Sequence, residues 1–218
     1  DFVKNDLIGF TGISPDKITV TLESADKLPK GNEPVKSLIG KKFIMYVGRP
    51  TPHKNLRRLI DAFALLQKKY PKLTLALAGK KDSNYARHEA YVNEHGIKNV
   101  VFTDFISDEQ LRWMYENTAV YCFPSLSEGF GLPGLEAMLH GAPVASSTAT
   151  CLPETHGDAA CYFDPYDVED IARVIDELLT NQPLRNELIA KGKKHAHSFS
   201  WQRMAEQTLA VYNSVVKD

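Results

Sequence analysis

Two stretches of this chain hold residues whose types and spacing could do chemistry. The first is Gly48-Arg49-Pro50-Thr51-Pro52-His53-Lys54-Asn55, followed by a helical pattern over 54–70. Arg49, Lys54, Arg57 and Arg58 fall within ten residues, with no acid before Asp61. Basic side chains at a helix N-terminus are unfavourable alone, because that end already carries partial positive charge. Arg49 and Lys54 make sense there if an anion is present, with exposed helix N–H groups helping to hold it. The alternative is a solvated basic patch, a description that suits Arg57 and Arg58 better than Lys54. The second stretch runs from Ser125 to Met138 and carries Glu128 and Glu136, eight residues apart. Glu128 lies in a loop, and Glu136 in the first turns of a helix that Pro133 opens and Gly141 ends. Both can face one crevice, where a carboxylate accepts two hydrogen bonds from paired hydroxyls of a sugar or ribose. Glu136 could equally complement the helix dipole. Glu128 precedes the glycine turn and has no such role.

Gly129, Gly131 and Gly134 spell G-x-G-x-x-G, with Glu154 about twenty residues on. Five residues separate Phe123 from Gly129, where a dinucleotide fingerprint wants its glycine directly after the strand. Pro133 also removes an N–H that such a turn needs. H-E-x-x-H, G-x-S-x-G and G-x-x-x-x-G-K-[ST] are absent. The seven histidines are scattered, and His195 and His197, two apart on a helix, point in different directions. They read as surface residues rather than metal ligands.

These stretches must be carried by ordered elements. Short apolar runs recur at Phe43–Val47, Leu73–Ala78, Val100–Phe102, Val120–Phe123, Pro143–Ser146 and Cys161–Phe163. Continuous hydrophobicity predicts strands buried on both faces of a parallel sheet. Leu56, Leu59, Ile60, Phe63 and Leu66 form one helical stripe between them; Leu111, Met114 and Tyr115 form a shorter one. The alternation predicts an α/β domain with a Rossmann-like parallel sheet of about six strands. Val168–Leu179, Pro183–His197 and Trp201–Val216 predict a helical C-terminus. Residues 1–40 contain a predicted strand at Ile18–Leu22 and a polar stretch, Lys27 to Pro34, that reads as a loop or hinge. In open parallel sheets ligands bind outside the carboxyl ends of the strands, which directs attention to Gly48, Gly79, Gly129 and Gly131, where the chain turns tightly or approaches a ligand.

Composition sets outer limits. The chain has 218 residues, 43% hydrophobic and 24% charged, which excludes a disordered chain, a collagen-like repeat and a coiled coil. With 26 basic and 27 acidic residues the net charge is −1. A nucleic-acid or anionic-membrane coat usually has a basic excess, so no nucleic-acid partner is expected and any anion must be held locally. Cys122, Cys151 and Cys161 form no C-x-x-C pair, so free thiols and a reducing, cytoplasmic compartment are expected. Cys122, in AVYCF, reads as a small buried hydrophobe. No apolar stretch approaches the ~20 residues that span a bilayer, and no signal peptide is visible.

The runs FIMYVGRPTPHKNLRRLIDAF, LALAG, TDFISDEQLRWMYENTAVYCFPSLSEGFGLPGLEAMLHGAPVASS and LPETHGDAACYFDP together resemble the C-terminal half of retaining GT-B glycosyltransferases. The nearest group is the family-four, mannosyltransferase-like group 1 enzymes. The resemblance covers roughly residues 40–218 and implies two Rossmann-like domains in the intact enzyme, of which this chain carries the donor-binding one. On that basis Arg49 and Lys54 neutralise the donor diphosphate as its charge grows. Glu128 contacts the donor sugar, Gly129-Phe130-Gly131-Leu132 lies against sugar and phosphates, and Glu136 holds the ribose. Asp104-Phe105-Ile106 supports the base. The family pattern needs no metal and no cofactor besides the nucleotide-sugar substrate. The implied activity is transfer of a hexose to a saccharide or lipid-linked acceptor in polysaccharide biosynthesis; mannose from GDP-mannose is the guess that overall similarity supplies. Residues 1–40 are read as the end of the N-terminal half and a hinge, and 41–218 as the donor domain. The acceptor domain is then missing, the isolated piece is expected to be inactive or nearly so, and membrane association would come only through that half. Leu22-Glu23-Ser24-Ala25-Asp26 departs from the family's Asn-Gly-Val-Asp type turn, and the Trp201 helix corresponds to one that crosses toward the missing domain. The alternative reading is a non-catalytic nucleotide-binding or interaction module.

Overall fold

The computed structural model describes residues 1–31 and 33–216. Six strands carry the apolar runs: β1 (Phe43–Val47), β2 (Thr74–Ala78), β3 (Val100–Asp104), β4 (Val120–Phe123), β5 (Val144–Ser147) and β6 (Ala160–Phe163). They form one sheet in the order β3-β2-β1-β4-β5-β6, and every pairing is parallel. Phe43 through Val47 pair with Thr74 through Ala78, while Ile44 and Met45 pair on the other side with Val120 and Tyr121. The predicted runs Phe43–Val47 and Val120–Phe123 match β1 and β4 at both ends, and the other four strands differ from prediction by one or two residues at one or both ends.

The helices are α1 (Phe2–Thr11), α2 (Leu56–Lys69), α3 (Ser83–Glu94), α4 (Asp108–Asn117), α5 (Leu132–Leu139), α6 (Leu152–His156), α7 (Val168–Thr180), α8 (Gln182–Ala196) and α9 (Trp201–Val216). One face of the sheet, with Ile44, Tyr46, Leu75, Leu77, Val120 and Cys122, is covered by α2, α3 and α7. The other, with Phe43, Met45, Tyr121 and Phe123, is covered by α4, α5 and α6. Alternate strand residues therefore feed two cores, as a parallel sheet requires. The α2 stripe is fully used: Leu56, Leu59, Ile60, Phe63 and Leu66 are all buried. Each such side chain contributes ~1.5–3 kcal/mol, which anchors α2 and the loop before it. Local signals fix the helix starts. Ser107 and Gln110 make a reciprocal capping box on α4, and Asp167 accepts from the Glu169 and Asp170 N–H groups on α7.

The opening forty residues depart from the sequence expectation. Ile18–Leu22 forms no strand and has no regular secondary structure. Its apolar residues have strand character, but a strand needs a free edge beside it, and this segment lies against α1, where the Lys4 ammonium donates to the Ile18 carbonyl at 2.7 Å. The α1 helix itself was not foreseen. It ends on Gly12 in the left-handed region, and no residue on it is buried. The polar stretch from Lys27 is irregular as expected, with Asn32 outside the described residues. The three predicted C-terminal helices are present, and α9 has no buried residue. Among the described residues no helix is long and apolar enough to cross a membrane.

Candidate functional site

The direction of winding reverses between β1 and β4: α2 follows β1 onto one face, and α5 follows β4 onto the other. A crevice opens at such a point outside the strand ends. The two stretches singled out by their chemistry are the loops on either side of it.

The loop after β1 is held by two glycines. Gly48 has φ 145° and Gly79, at the end of β2, has φ 153°. A Cβ on Gly79 would lie 2.4 Å from the Gly48 carbonyl oxygen, so the two strand ends meet at a distance only glycine allows. The chain then forms a 3-10 turn, Pro52–Lys54, and passes through Asn55 at φ 58° before α2 begins at Leu56. The expected helix over 54–70 thus starts two residues late, and Lys54 sits just outside it. Buried Asn55 explains the break: its side-chain amide donates to the Pro124 and Pro165 carbonyls at 3.0 and 2.7 Å, tying together the loops after β1, β4 and β6. Sequence reasoning missed this residue, although an Asn ahead of a helix is a recognisable signal. Leu126 N–H adds a second tie, donating to the His53 carbonyl at 2.7 Å.

These ties bring Lys54 onto Glu128. Nζ lies 2.6 Å from Oε1, with the two side chains 20% and 12% exposed. Arg49, in the same loop as Lys54, is exposed, its carbonyl accepting from the Tyr46 hydroxyl at 3.2 Å. The other two arginines are engaged elsewhere. Arg57 pairs with Asp61 at 3.4 Å and covers the Tyr91 ring, and Arg58 donates to the Asn55 side-chain oxygen at 3.0 Å. The Glu128 backbone is clamped from the loop after β5. Its N–H donates to the Thr150 hydroxyl at 3.0 Å, and its carbonyl accepts from Thr150 and from the Cys151 thiol, each at 3.2 Å. Thr150 and Cys151 carried no motif that could have announced them.

In the glycine turn, the special backbone belongs to Gly131, buried at φ 103° as the N-cap of α5. Gly129 lacks a positive φ, and a Cβ there would meet nothing within 4 Å, so the turn does not require it. Phe130 is half-buried, its ring edge-on to Phe199, and Leu132 begins α5. Gly129 and Phe130 also border a hollow of about 470 Å³ whose other walls include Phe2, Leu7, Val20 and Glu154. One turn into α5, the Glu136 carboxylate accepts from the Tyr115 hydroxyl of α4 at 3.2 Å. Burial lifts its pKa above the ordinary carboxylate value, Tyr115 pulls it back and Asp108 pushes it further up. Among the described residues the Tyr121 hydroxyl, buried with both glutamates nearby, has no hydrogen-bond partner, and neither has the Ser125 hydroxyl. Orphans of this kind mark a place that water or ligand completes.

Phe105 and Ile106 follow β3, two strands away from β1. Phe105 is 78% exposed, held out by Asp104 at φ 63°. Asp104 accepts from the Lys81 N–H at 2.8 Å, which fixes the loops after β2 and β3 to each other. The Phe105 ring lies outside both cores. Of the other residues the sequence singled out, Cys122 is buried as expected, and burial pushes its thiol well up. His195 is half-buried, its Nε2 2.7 Å from the Thr155 carbonyl, and His197 is exposed.

With this geometry in view, comparison with known proteins is specific. The profile of the family described as "Glycosyl transferases group 1" matches residues 30–195. O-antigen chain mannosyltransferase B of Escherichia coli is 31% identical over 97% of this chain and 58% of its own length. The MMP alpha-(1->4)-mannosyltransferase of Mycolicibacterium hassiacum is 32% identical over 97% of this chain and 52% of its own. Among solved structures, sucrose-phosphate synthase from Thermosynechococcus elongatus superposes with a TM-score of 0.71 at 27% identity, over 82% of this chain and 46% of that one. The chain therefore spans little more than half of these two mannosyltransferases.

Proposed function

This chain belongs to the group 1 glycosyl transferases, and on that premise we propose that it is the nucleotide-sugar-binding half of a retaining hexosyltransferase. The observation that carries the proposal is the Lys54–Glu128 pair at 2.6 Å across the crevice, with Glu136 one turn into the next helix. A cation and two carboxylates there suit a diphosphate flanked by two hydroxylated rings. The donor diphosphate takes Lys54 from Glu128 and adds Arg49. Glu128, released, accepts from hydroxyls of the sugar, while the backbone from Gly129 to Leu132 lies along sugar and phosphate. Glu136 takes the ribose hydroxyls, and Phe105 with Ile106 supports the base.

In the reaction, negative charge builds on the diphosphate as the glycosidic bond breaks. Arg49 and Lys54 stabilise it more in the transition state than in the bound donor, which is how they accelerate the step. These fixed cations do the work a divalent metal would otherwise do, so no metal is needed in this proposal. The mannosyltransferase relatives support a mannosyl donor, and GDP-mannose is the donor we propose. Residues 1–40 are assigned to the end of the acceptor-binding half and its hinge, with 41–218 as the donor domain. The reacting centre forms only when both halves close on it, because orientation supplies much of the acceleration. The 218-residue chain should therefore bind donor without transferring sugar.

Calorimetric titration with GDP, UDP and ADP tests the assignment. Binding that prefers GDP supports a mannosyl donor. Binding of none of the three at millimolar concentration overturns the donor site in favour of a non-catalytic interaction module.

A further inference from the structure

One buried polar residue beside the glycine turn has no part in the donor contacts. His156 closes α6 and is completely buried. Its Nε2 lies 3.2 Å from the Gly131 carbonyl oxygen, and its Nδ1 lies 3.1 Å from the Ser146 hydroxyl of β5. A carbonyl oxygen can only accept, so Nε2 must carry the proton. Nδ1 is then an acceptor, and it shares the single Ser146 hydroxyl proton with the Ser147 carbonyl, 3.3 Å from the same oxygen. The partners thereby fix both the tautomer and the orientation of the ring.

The Gly131 carbonyl that His156 holds also accepts from the Gly134 N–H at 3.0 Å. In a trans peptide the carbonyl and the following N–H point in opposite directions. Holding the Gly131 oxygen inward turns the Leu132 N–H away from the imidazole, off the open end of α5. Pro133 has no N–H and the Gly134 N–H is spent on Gly131, so among the described residues the Leu132 N–H is the first-turn group left without a helical partner and available to an anion. We propose that His156 is a positioning residue for the donor site: its Nε2–H fixes the Gly131–Leu132 peptide in the orientation that meets the diphosphate. The inference rests on the donor-site assignment above and deepens it.

The surroundings are built for an imidazole rather than for any filler. A Cβ on Gly134 would come 2.2 Å from Nε2, and one on Gly131 would come 3.3 Å from the same atom. Gly134 is interior to α5, where glycine costs ~0.5–1 kcal/mol against alanine. The helix bears that loss, and the ring fits against its backbone. Phe123 beside the ring and Leu152 beside Gly131 are apolar, and the His195 imidazole is near enough to oppose a charge on His156. An apolar side chain would fill such a space without the cost of burying two ring nitrogens, so both hydrogen bonds have to justify the histidine.

The test uses the 218-residue chain with His156→Phe, His156→Gln and Gly134→Ala, titrated with GDP, UDP and ADP and with the matching bare nucleosides. Phenylalanine keeps a ring and removes the donor, whereas glutamine places an amide N–H near the position of Nε2. His156→Phe should weaken diphosphate binding roughly three- to twelvefold, the upper range of one lost neutral hydrogen bond. Nucleoside binding should stay within about twofold, because Glu136 rides on a helix anchored independently by Leu135, Ala137, Met138 and Leu139. His156→Gln should recover most of the loss. Gly134→Ala should reproduce it despite its better helix propensity, since the new methyl displaces the ring. Equal losses for nucleoside and diphosphate, or no loss in a folded His156→Phe or Gly134→Ala protein, would overturn the positioning role. If His156→Phe does not fold, Gly134→Ala and His156→Gln decide the question alone. Failure of the unsubstituted chain to bind any diphosphate would overturn the donor site, and this inference with it.

Discussion

Replacing Glu128 by glutamine should tighten the binding of a nucleoside diphosphate. In the free protein the Lys54 ammonium already has an anionic partner 2.6 Å away, and both side chains are mostly withdrawn from water. A diphosphate must therefore break a charge-assisted hydrogen bond before it can use Lys54. Such a bond contributes ~1.5–3 kcal/mol, against ~0.5–1.5 kcal/mol for a neutral one. Glu128→Gln keeps the length and a hydrogen-bonding oxygen but removes the charge, so the exchange becomes easier by about 1–1.5 kcal/mol. That is roughly five- to tenfold in affinity, and relief of repulsion between carboxylate and phosphate acts in the same direction. Calorimetry with GDP, UDP and ADP on the parent, Glu128→Gln, Lys54→Ala and the double variant measures it. The gain should disappear in the Lys54→Ala background, because it works through the lysine. The nucleotide sugar should gain less than the diphosphate, since it loses a carboxylate contact to its hydroxyls. A Glu128→Gln protein that binds diphosphate no tighter than the parent would show that the carboxylate does not compete for Lys54.

Lys54→Ala should weaken diphosphate binding far more than nucleoside binding, by roughly ten- to a hundredfold, and added salt should mimic it; equal losses for both ligands would return Lys54 to a solvated basic patch. Glu136→Ala should instead weaken nucleoside and diphosphate alike in the same titrations, since both carry the ribose. Burial depresses the folded-state pKa of His156 from 6.5 to about 4, so its contribution to stability is complete above pH 6.5 and is lost as the pH falls toward 4, by at most ~3 kcal/mol. Urea unfolding across that window should show a shallower acid loss in His156→Phe than in the parent, while His88 and His140, also lowered by burial, contribute the same sign in both proteins. Gly79→Ala sets a methyl 2.4 Å from the Gly48 carbonyl oxygen at φ 153°, and should cost about 2–3 kcal/mol, read as a melting temperature lower by roughly 5–10 °C.

What the sequence determined by itself was local. A β-run such as Phe43–Val47 or Val120–Phe123 is specified by its own side chains, and the α2 stripe by residues three and four apart. The same nearness made Arg49 and Lys54 one group, and Glu128 and Glu136 another. The family resemblance could then attach roles to them. Tertiary structure decided which groups meet. Lys54 and Glu128 are separated by 74 positions, and only the shared end of β1 and β4 makes them a pair. Asn55 reaches carbonyls 69 and 110 positions away, Thr150 reaches Glu128 across 22, and His156 reaches Gly131 across 25. Ile18–Leu22 shows the converse: its side chains favour a strand, but the fold sets it against α1 and pairs it with none of the six strands. Propensity and periodicity act over one or two turns of chain, whereas a hydrogen-bond partner is chosen by how the crossovers wind around the sheet. The residues that could do chemistry were therefore legible one at a time, and which of them meet was fixed only by the fold.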